Sequence, residues 1–344
     1  MPRGGDSSRP VTIAYIAESA GVSIPTVSKV INGRSGVSAT TRARVESLIY
    51  EHGYRKVSAA HRRNVLELVF RDLESMWAVE IIRGVKQVAR RHRLGVTVSE
   101  SGLAESDEST WDDTVARRPQ CVLAVAHLSA AERDELRAKD IPFVVFDPTV
   151  ELPADVPFVG ATNWTGGRTA ARHLAGLGHR RIAMIGGPEH VLCCQARQDG
   201  YRAGLAASGL PADPDLIVNV PLTREDGYTA AAALLRRPDR PTAIFAANDL
   251  QALGVYQAAR EAGLAIPGDL SVVGFDDLPV AELVDPPLTT VRQPLSEMAV
   301  AATELALALG RGERQSQLGV EIATTLTIRS STATPSETGP RPRR

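Results

Sequence analysis

From Val65 onward, short apolar runs alternate with stretches in which apolar residues recur every three or four positions. The runs are typical of buried strands and the stretches of amphipathic helices. The predicted strands are 65–70, 95–100, 121–126, 143–146, 181–186, 216–220, 242–247 and 270–275, and the predicted helices are 77–92, 166–177, 196–208, 227–236, 249–262 and 294–309. This alternation predicts parallel sheets with helices on both faces, and about 265 residues fit two such sheets better than one.

The first 64 residues follow a different pattern. Residues 10–56 read as three short helices, and the small, basic segment 57–64 reads as a linker. Both ends of the chain, residues 1–9 and 331–344, are polar and lack periodicity, which predicts disorder. We therefore expect an all-α head followed by an α/β body.

The head has the features of a helix-turn-helix. Ala17 is small where two helices must cross closely, and Gly21 follows the first helix, where a left-handed residue costs least. Ser23 is placed to cap the next helix, and Pro25 falls in its first turn, where a missing N–H removes no intrahelical bond. The predicted buried face consists of Ile16, Ala20, Val22, Val27 and Val30. An ordinary helical hairpin is the alternative.

In this geometry the N-terminal end of the second helix enters the major groove. The side chains expected at base edges are Ile24, Pro25, Thr26 and Lys29. The first two suit a thymine methyl group, and Lys29 suits guanine O6 and N7. The short donors expected at phosphates are Thr12, Ser23, Ser28, Asn32, Ser38 and Thr41, with Tyr54 as a further DNA contact. For each hydroxyl, helix capping is the stronger alternative.

Charge is divided unevenly along the chain. The net charge is −1, but residues 1–63 hold ten Lys and Arg against four Asp and Glu, a net +6 that leaves −7 for the remainder. A basic head on an acidic body suggests that only the head meets a polyanion. A solvated basic face is the alternative.

Several kinds of site are not indicated. No nucleophile elbow, P-loop, HExxH or Gly-rich dinucleotide loop occurs, so we expect no enzyme, metal or cofactor. The cysteines Cys121, Cys193 and Cys194 lack metal-ligand spacing, and their odd number indicates a reducing compartment. Without an apolar leader or a run of about 18 apolar residues, we expect a cytoplasmic protein that does not span a membrane. His179 reads as a structural loop histidine.

Polar side chains gather where the predicted strands end. They are Asp72, Ser75, Trp77, Asp147, Arg197, Asn248, Asp249, Asp276 and Asp277. Ligands bind beyond the carboxyl ends of strands in open α/β sheets. Carboxylates, amides, an arginine and an indole suit a polyhydroxylated ligand. Asp249 and Asp277 read better as helix caps, and Asp147 is equally compatible with a turn before Pro148.

The segment VTIAYIAESAGVSIPTVSKVINGRSGVSATTRARVESLIYEHGYR resembles the head of the LacI/GalR (lac repressor) family. The body is similar as well, in NWTGGRTAARHLAGLGHRRIAMIGGP, RQDGYRAGL, PTAIFAANDLQALGVYQAAREAGLAIPGDLSVVGFDD and PPLTTVRQP. The likeness covers roughly residues 11–329. It implies a homodimer, and two periplasmic-binding-protein-like lobes crossed by three strands with a ligand cleft between them. The implied effector-binding and dimerisation domain is 65–330, with one lobe at 65–164 and 294–321 and the other at 165–293 and 322–330.

The resemblance also implies the effector contacts. They are Asp147, Arg197, Asn248, Asp276 and Gln293, with Trp77 as a weaker candidate. A cleft tryptophan of some members corresponds to Leu222 here, so the detailed ligand will differ.

The linker departs from the family's pattern of Pro-Asn followed by Ala-Arg-x-Leu. Lys56 and Val57 stand at the Pro-Asn place, and Arg63 stands where the leucine would insert into DNA. A leucine wedge is therefore in doubt, although Arg62 and Arg63 suit a narrow minor groove electrostatically.

These observations predict a DNA-binding transcription regulator, a repressor as is usual in the family, controlled by a small polar ligand such as a sugar. A soluble carbohydrate-binding protein and a sugar-modifying enzyme on the same scaffold are the alternatives, and the helix-turn-helix argues against both. We expect a dimer rather than the tetramer of the lac repressor, because residues 331–344 contain no leucine and three prolines. The candidate interface residues are Val79, Ile82 and Val85, and burial in the core of their own domain is the alternative, because a helix on a parallel sheet buries one face anyway.

Overall fold

The computed structural model describes residues 12–31, 36–52, 64–71, 73, 76–101, 108–125 and 127–336. The chain divides into two compact units, residues 1–61 and 62–344. The smaller unit is the predicted all-α head, and the larger one is the α/β body.

The head consists of three short helices, α1 (Ile13–Ala20), α2 (Ile24–Ile31) and α3 (Ala39–Glu51). Gly21 ends α1 in the left-handed region at φ 66°. The three helices enclose one small apolar core, made by Ile16, Ala17, Ala20, Val27, Val30 and Val45. The predicted buried face is therefore confirmed, except that Val22 is only partly buried.

The body has two lobes of alternating strands and helices. The first lobe begins with β1 (Val65–Phe70), α4 (Met76–His92), β2 (Gly95–Glu100), α5 (Glu108–Arg117), β3 (Cys121–Val125), α6 (Ala130–Ala138), β4 (Phe143–Phe146) and β5 (Phe158–Ala161). The second lobe contains α7 (Asn163–Gly176), β6 (Ile182–Gly186), α8 (Leu192–Ala207), a 3-10 turn (Pro214–Leu216), β7 (Ile217–Asn219), α9 (Arg224–Leu235), β8 (Ala243–Ala246), α10 (Asp249–Glu261), β9 (Ser271–Asp276), α11 (Val280–Leu283) and β10 (Thr289–Arg292). The chain returns to the first lobe with α12 (Leu295–Gly310) and β11 (Gly319–Ile322), and then to the second with β12 (Thr325–Thr327).

The two sheets repeat one topology. Their strand orders are β2-β1-β3-β4-β5-β11 and β7-β6-β8-β9-β10-β12. All pairings are parallel except that of the edge strand β12 with β10, which is antiparallel. The prediction of two parallel-sheet lobes is thus confirmed, with one antiparallel edge added. Because equivalent strands end at the same edge in each lobe, polar groups after β4 and β9 face each other across the cleft.

Helices α4 and α12 cover one face of the first sheet with an apolar layer. Ile81, Val85 and Val88 of α4 are fully buried there. Val85 therefore belongs to the lobe's own core, and its candidate role at an interface is wrong, because a helix on a parallel sheet buries one face in its own domain. Val79 is 56% exposed and Ile82 is half-buried.

Glycines bring α7 and α8 into backbone contact. A Cβ atom at Gly167 would lie 2.0 Å from the Arg197 carbonyl oxygen, and one at Gly200 would lie 2.0 Å from the Trp164 carbonyl oxygen. Neither position has room for any larger residue without moving a helix. This contact fixes where α8 holds the Arg197 side chain.

The chain crosses between the lobes three times, near Thr162, Gln293 and Thr324. The first and third crossings are hydrogen-bonded to each other: the Thr324 N–H donates to Thr162 Oγ1 at 2.9 Å, and the Thr324 hydroxyl donates to the Thr162 carbonyl at 3.2 Å. The second crossing, between β10 and α12, carries Gln293.

The prediction of a disordered segment from residue 331 is wrong for residues 331–336. Ser331 is fully buried, and its hydroxyl donates to the Val272 carbonyl at 2.6 Å. His179 lies 2.9 Å from the Ala333 carbonyl and 3.0 Å from the Ser271 hydroxyl, as a structural histidine. The segment is held by hydrogen bonds to polar groups, which leave no apolar periodicity in the sequence.

In the part of the chain that the structure describes, every helix is too short or too polar to traverse a bilayer.

Candidate functional site

Two aspartates lie at equivalent strand ends in the two lobes. Asp147 directly follows β4, and Asp276 is the last residue of β9. Both have left-handed backbones, with φ values of 46° and 106°. Non-glycine residues in this region are strained and occur where surrounding structure holds them, commonly at binding sites. The strain therefore marks these carboxylates as positioned groups.

Arg197 on α8 lies between the two aspartates and is 3% exposed. Its Nε donates to Asn163 Oδ1 at 2.8 Å, and its Nη1 donates to the Ala247 carbonyl at 2.7 Å. Its Nη2 donates to Gln293 Oε1 at 3.0 Å. The guanidinium carbon also lies 3.8 Å from the centre of the Phe275 ring. Three of the five N–H groups and one face of the guanidinium plane are therefore engaged, which fixes its orientation and leaves donors for a ligand.

Asp147 and Asp276 differ in their partners. Asp147 Oδ2 accepts a hydrogen bond from Gln293 Nε2 at 3.3 Å. Asp276 Oδ1 forms an ion pair with Arg197 Nη2 at 3.6 Å, beyond hydrogen-bond distance, and is buried without a hydrogen-bond partner. Arg197, Asp147, Asn163, Asp276 and Gln293 are called the Arg197 cluster below.

Burial dominates the acid–base properties of the cluster. It raises the pKa of Asp276 to about 7, against an opposing effect of Arg197. It also raises the pKa of Asp147, again opposed by Arg197 and by the hydrogen bond from Gln293. A buried acceptor without a donor is costly, so a ligand hydroxyl that donates to Asp276 would stabilise the site.

Asn248 lies beside the cluster. It is the N-cap of α10: its side-chain oxygen accepts from the Gln251 N–H at 2.8 Å, and its Nδ2 donates to the Leu222 carbonyl at 3.0 Å. Trp77 packs edge-on against Phe146, the residue before Asp147, with ring centres 5.7 Å apart. Asp72 and Ser75 lie outside the described residues.

The expected helix caps at Asp249 and Asp277 are wrong. Asp249 is fully buried and accepts from the Thr290 hydroxyl at 2.6 Å and the Leu278 N–H at 2.7 Å, because the preceding Asn248 takes the cap. Asp277 pairs with Arg329 at 2.7 Å. Asp249 therefore connects α10 to β10 and to the segment after β9, and Asp277 connects that segment to the residues after β12.

Sequence reasoning missed two members of the site: Asn163 and Phe275. Asn163 orients the Arg197 Nε, and it follows β5, a four-residue strand that apolar patterning did not find. Phe275 reads as an ordinary strand residue. Cys193 lines a cavity beside Asp147.

The head presents a separate candidate interface on α2. Val27 and Val30 are buried on one side, while Ile24, Pro25 and Lys29 are exposed on the other. Ile24 is 48% exposed. Thr26 and Ser28 are half-buried.

Three of the predicted phosphate donors act as helix caps. The Thr12 side chain accepts from the Tyr15 N–H at 3.2 Å, Ser23 from the Thr26 N–H at 3.3 Å and Ser38 from the Thr41 N–H at 3.2 Å. All three residues remain exposed. Asn32, Tyr54 and the linker residues Lys56, Val57, Arg62 and Arg63 lie outside the described residues.

Comparison with known proteins gives two family matches. Residues 12–56 match the model described as bacterial regulatory proteins, lacI family, and residues 171–332 match a periplasmic binding protein-like domain. The HTH-type transcriptional regulator DegA of Bacillus subtilis is 32% identical over 333 residues, covering 94% of this chain and 98% of DegA.

Two solved structures are similar over the same span. The transcriptional regulator CelR in complex with cellobiose has a TM-score of 0.72 and 31% identity, covering 94% of this chain and 100% of CelR. A lac repressor dimer bound to operator and the anti-inducer ONPF has a TM-score of 0.69 and 26% identity, with 94% and 100% covered.

Proposed function

This chain belongs to the lacI family of bacterial regulatory proteins and is a DNA-binding transcriptional regulator, and we propose that it is a cytoplasmic repressor controlled by a sugar. The head holds operator DNA, and the Arg197 cluster binds the effector. The chain acts by binding rather than as an enzyme. The proposal of repression rests on the likeness to the lac repressor, and the proposal of a sugar effector rests on the likeness to CelR, whose structure contains cellobiose.

One observation carries the effector site: Asp276 Oδ1 is buried without a hydrogen-bond donor, 3.6 Å from the Nη2 of the oriented arginine Arg197. A sugar supplies hydroxyl donors and acceptors on neighbouring carbons, so one ring can satisfy several such groups. We assign effector contacts to Asp147, Arg197, Asn248, Asp276 and Gln293. Trp77 remains a weaker assignment, because its ring packs on Phe146.

For DNA we assign base contacts to the exposed end of α2. Pro25 and Lys29 are four residues apart and share a helix face, so both can enter one groove together. Thr12, Ser23, Ser28, Ser38 and Thr41 are assigned to phosphates. The Ser38 hydroxyl donates to Thr41 Oγ1 at 2.8 Å, and the Ser23 hydroxyl lies 2.9 Å from Thr26 Oγ1. A hydroxyl has a single proton, so donation to a phosphate requires Ser38 to give up its bond to Thr41.

A direct experiment tests the proposal. The protein should retard a genomic fragment carrying its own operator in a gel shift, and one member of a carbohydrate panel should change that retardation. Retention of the sugar without any DNA binding would instead identify a carbohydrate-binding protein. A thermal-shift screen identifies the sugar, since a ligand at 100 times its Kd stabilises the folded state by about 2.7 kcal/mol.

Lys29→Ala is expected to relax sequence preference. Lys29 is exposed on the groove-facing side of α2, and losing a good base contact costs about 1–3 kcal/mol of discrimination at one position. Ser28→Ala is expected to weaken binding to all sequences alike, since a phosphate contact carries no base information. Selection from random DNA measures both; an unchanged preferred site in Lys29→Ala contradicts the base-reading role.

The protein is expected to be a dimer at micromolar concentration. Two heads match a two-fold operator, and the few basic contacts of a single head bind DNA weakly at physiological salt. The lac repressor structure is a dimer on its operator. Val79, 56% exposed on α4, is the candidate interface residue, so Val79→Lys should shift the mass toward one chain. Sedimentation equilibrium decides it, and a wild-type mass of one or four chains contradicts the prediction.

A further inference from the structure

A cavity of about 530 Å³ lies beside the Arg197 cluster, between the loop that joins β4 to β5 and the first turns of α7 and α8. It is called the lateral cavity below. Its volume falls in the range of sites that bind small molecules, about 300–1,000 Å³. Of the described residues that line it, Asp147 alone has been assigned an effector contact so far.

The lateral cavity adjoins the effector site. Asp147 and Asn163 line it, and both are members of the Arg197 cluster. Gly160 also lines it; a Cβ atom there would come within 3.8 Å of Asp147 Oδ1. At that distance even a methyl group would make only an ordinary van der Waals contact, so Gly160 does not block this side of the carboxylate. A ligand held at Asp147 therefore has room to continue into the cavity.

A tryptophan stands at the cavity wall. Trp164, the second residue of α7, lines the cavity and is 44% exposed, although a tryptophan is usually largely buried. The guanidinium of Arg168 lies 5.6 Å from the ring centre, which supports the indole from the same helix. Val150, Leu152 and Leu192 add apolar surface around it. An aromatic face among aliphatic groups suits the apolar face of a sugar ring.

The charge of the lining is one-sided. Asp147, Glu151 and Glu321 contribute carboxylates, and no lysine or arginine is among the described residues that line the cavity. Carboxylates accept hydrogen bonds from hydroxyl groups but repel anions. The lining therefore favours a neutral polyhydroxylated group and disfavours a phosphorylated or acidic sugar.

We propose that the lateral cavity is a second subsite, which holds the second ring of a neutral disaccharide against Trp164 while the first ring occupies the Arg197 cluster. This inference rests on the proposed sugar effector. It makes Trp164 a specificity-determining residue for ligand length. The carboxylates of Glu151 and Glu321 accept hydrogen bonds from hydroxyl groups of the second ring.

The test compares matched sugars on the full-length protein. Calorimetry measures the Kd of each sugar separately. The Kd of glucose is compared with those of cellobiose and maltose, and the Kd of galactose with that of lactose. Glucose 6-phosphate is the anionic probe. In the wild type, one disaccharide should bind at least about tenfold more tightly than its monosaccharide, and glucose 6-phosphate should not bind. Trp164→Ala should remove the gain from the second ring and leave the monosaccharide Kd unchanged. Trp164→Phe should restore part of the gain.

The matched control is Leu283→Ala, which removes an exposed apolar side chain, 81% exposed, from outside the cavity. It should change neither Kd. Equal binding of mono- and disaccharides in the wild type overturns the subsite, as does loss of both ligands in Trp164→Ala or tight binding of glucose 6-phosphate. Binding of none of these sugars contradicts the proposed function and the subsite with it. Monosaccharide binding alone contradicts only the subsite.

Discussion

Arg197→Ala is expected to abolish the response to the effector while operator binding by the free protein persists. The arginine makes three hydrogen bonds within the cleft and lies 3.6 Å from Asp276. Its removal leaves Asn163 and Gln293 without their donor and two buried carboxylates without a counter-charge. Hydrogen bonds to charged groups contribute about 1.5–3 kcal/mol each, so ligand affinity should fall at least tenfold.

The same substitution should also lower stability, because removing one partner of a buried ion pair costs about 3–5 kcal/mol. The head is a separate compact unit with its own core, so its affinity for DNA should be kept. The matched control is Arg202→Ala on the same helix, which removes an exposed arginine paired with Asp199. Calorimetry with the identified sugar and a gel shift measure the two effects. Unaltered ligand affinity in Arg197→Ala would refute the site.

Asp276→Asn is expected to remove a pH dependence of stability from the ligand-free protein. Burial raises the folded pKa of Asp276 to about 7, from an ordinary value of 3.8. The folded state therefore keeps a proton that the unfolded state has released, so stability falls as pH rises from about 4 to 7 and stays low above 7. Between pH 6 and pH 8 the loss should be about 1.4 kcal/mol in the wild type.

Urea unfolding of the wild type and of Asp276→Asn at pH 6 and at pH 8 measures this change in the free energy of unfolding. His173 and His179, whose pKa values burial lowers, give the opposite slope below about pH 6.5. They are present in both proteins and cancel in the difference. Asp199→Asn, at an exposed site on α8, is the control and should behave as the wild type. An equal pH dependence in Asp276→Asn and wild type would show that Asp276 is ionised in the folded protein.

The repeating part of the fold was predictable from sequence, because buried parallel strands are apolar throughout and stand out. Strand β1 at 65–70 and strand β4 at 143–146 were placed to the residue. Strand β5 was missed because FVGA is short and contains glycine. Helix α6 was missed because its sequence AAERDELRA offers few apolar positions, and only Leu136 is buried.

The candidate site was predictable where its residues follow strands that the pattern revealed. Asp147 and Asp276 follow apolar runs, so their convergence was an expected result of parallel topology. Asn163 was not found, because its strand was not. The docking of residues 331–336 depends on tertiary hydrogen bonds to buried groups such as His179, which no local pattern encodes.

The bonded pair of crossings at Thr162 and Thr324 restricts how the lobes can move. Since two of the three connections are fastened to each other, any rotation of one lobe against the other has its axis close to that pair. Gln293, on the remaining connection, donates to Asp147 of the first lobe and accepts from Arg197 of the second. Opening the cleft separates Asp147 from Arg197, so Gln293 cannot keep both hydrogen bonds, and a single amide couples the angle between the lobes to the chemistry of the ligand.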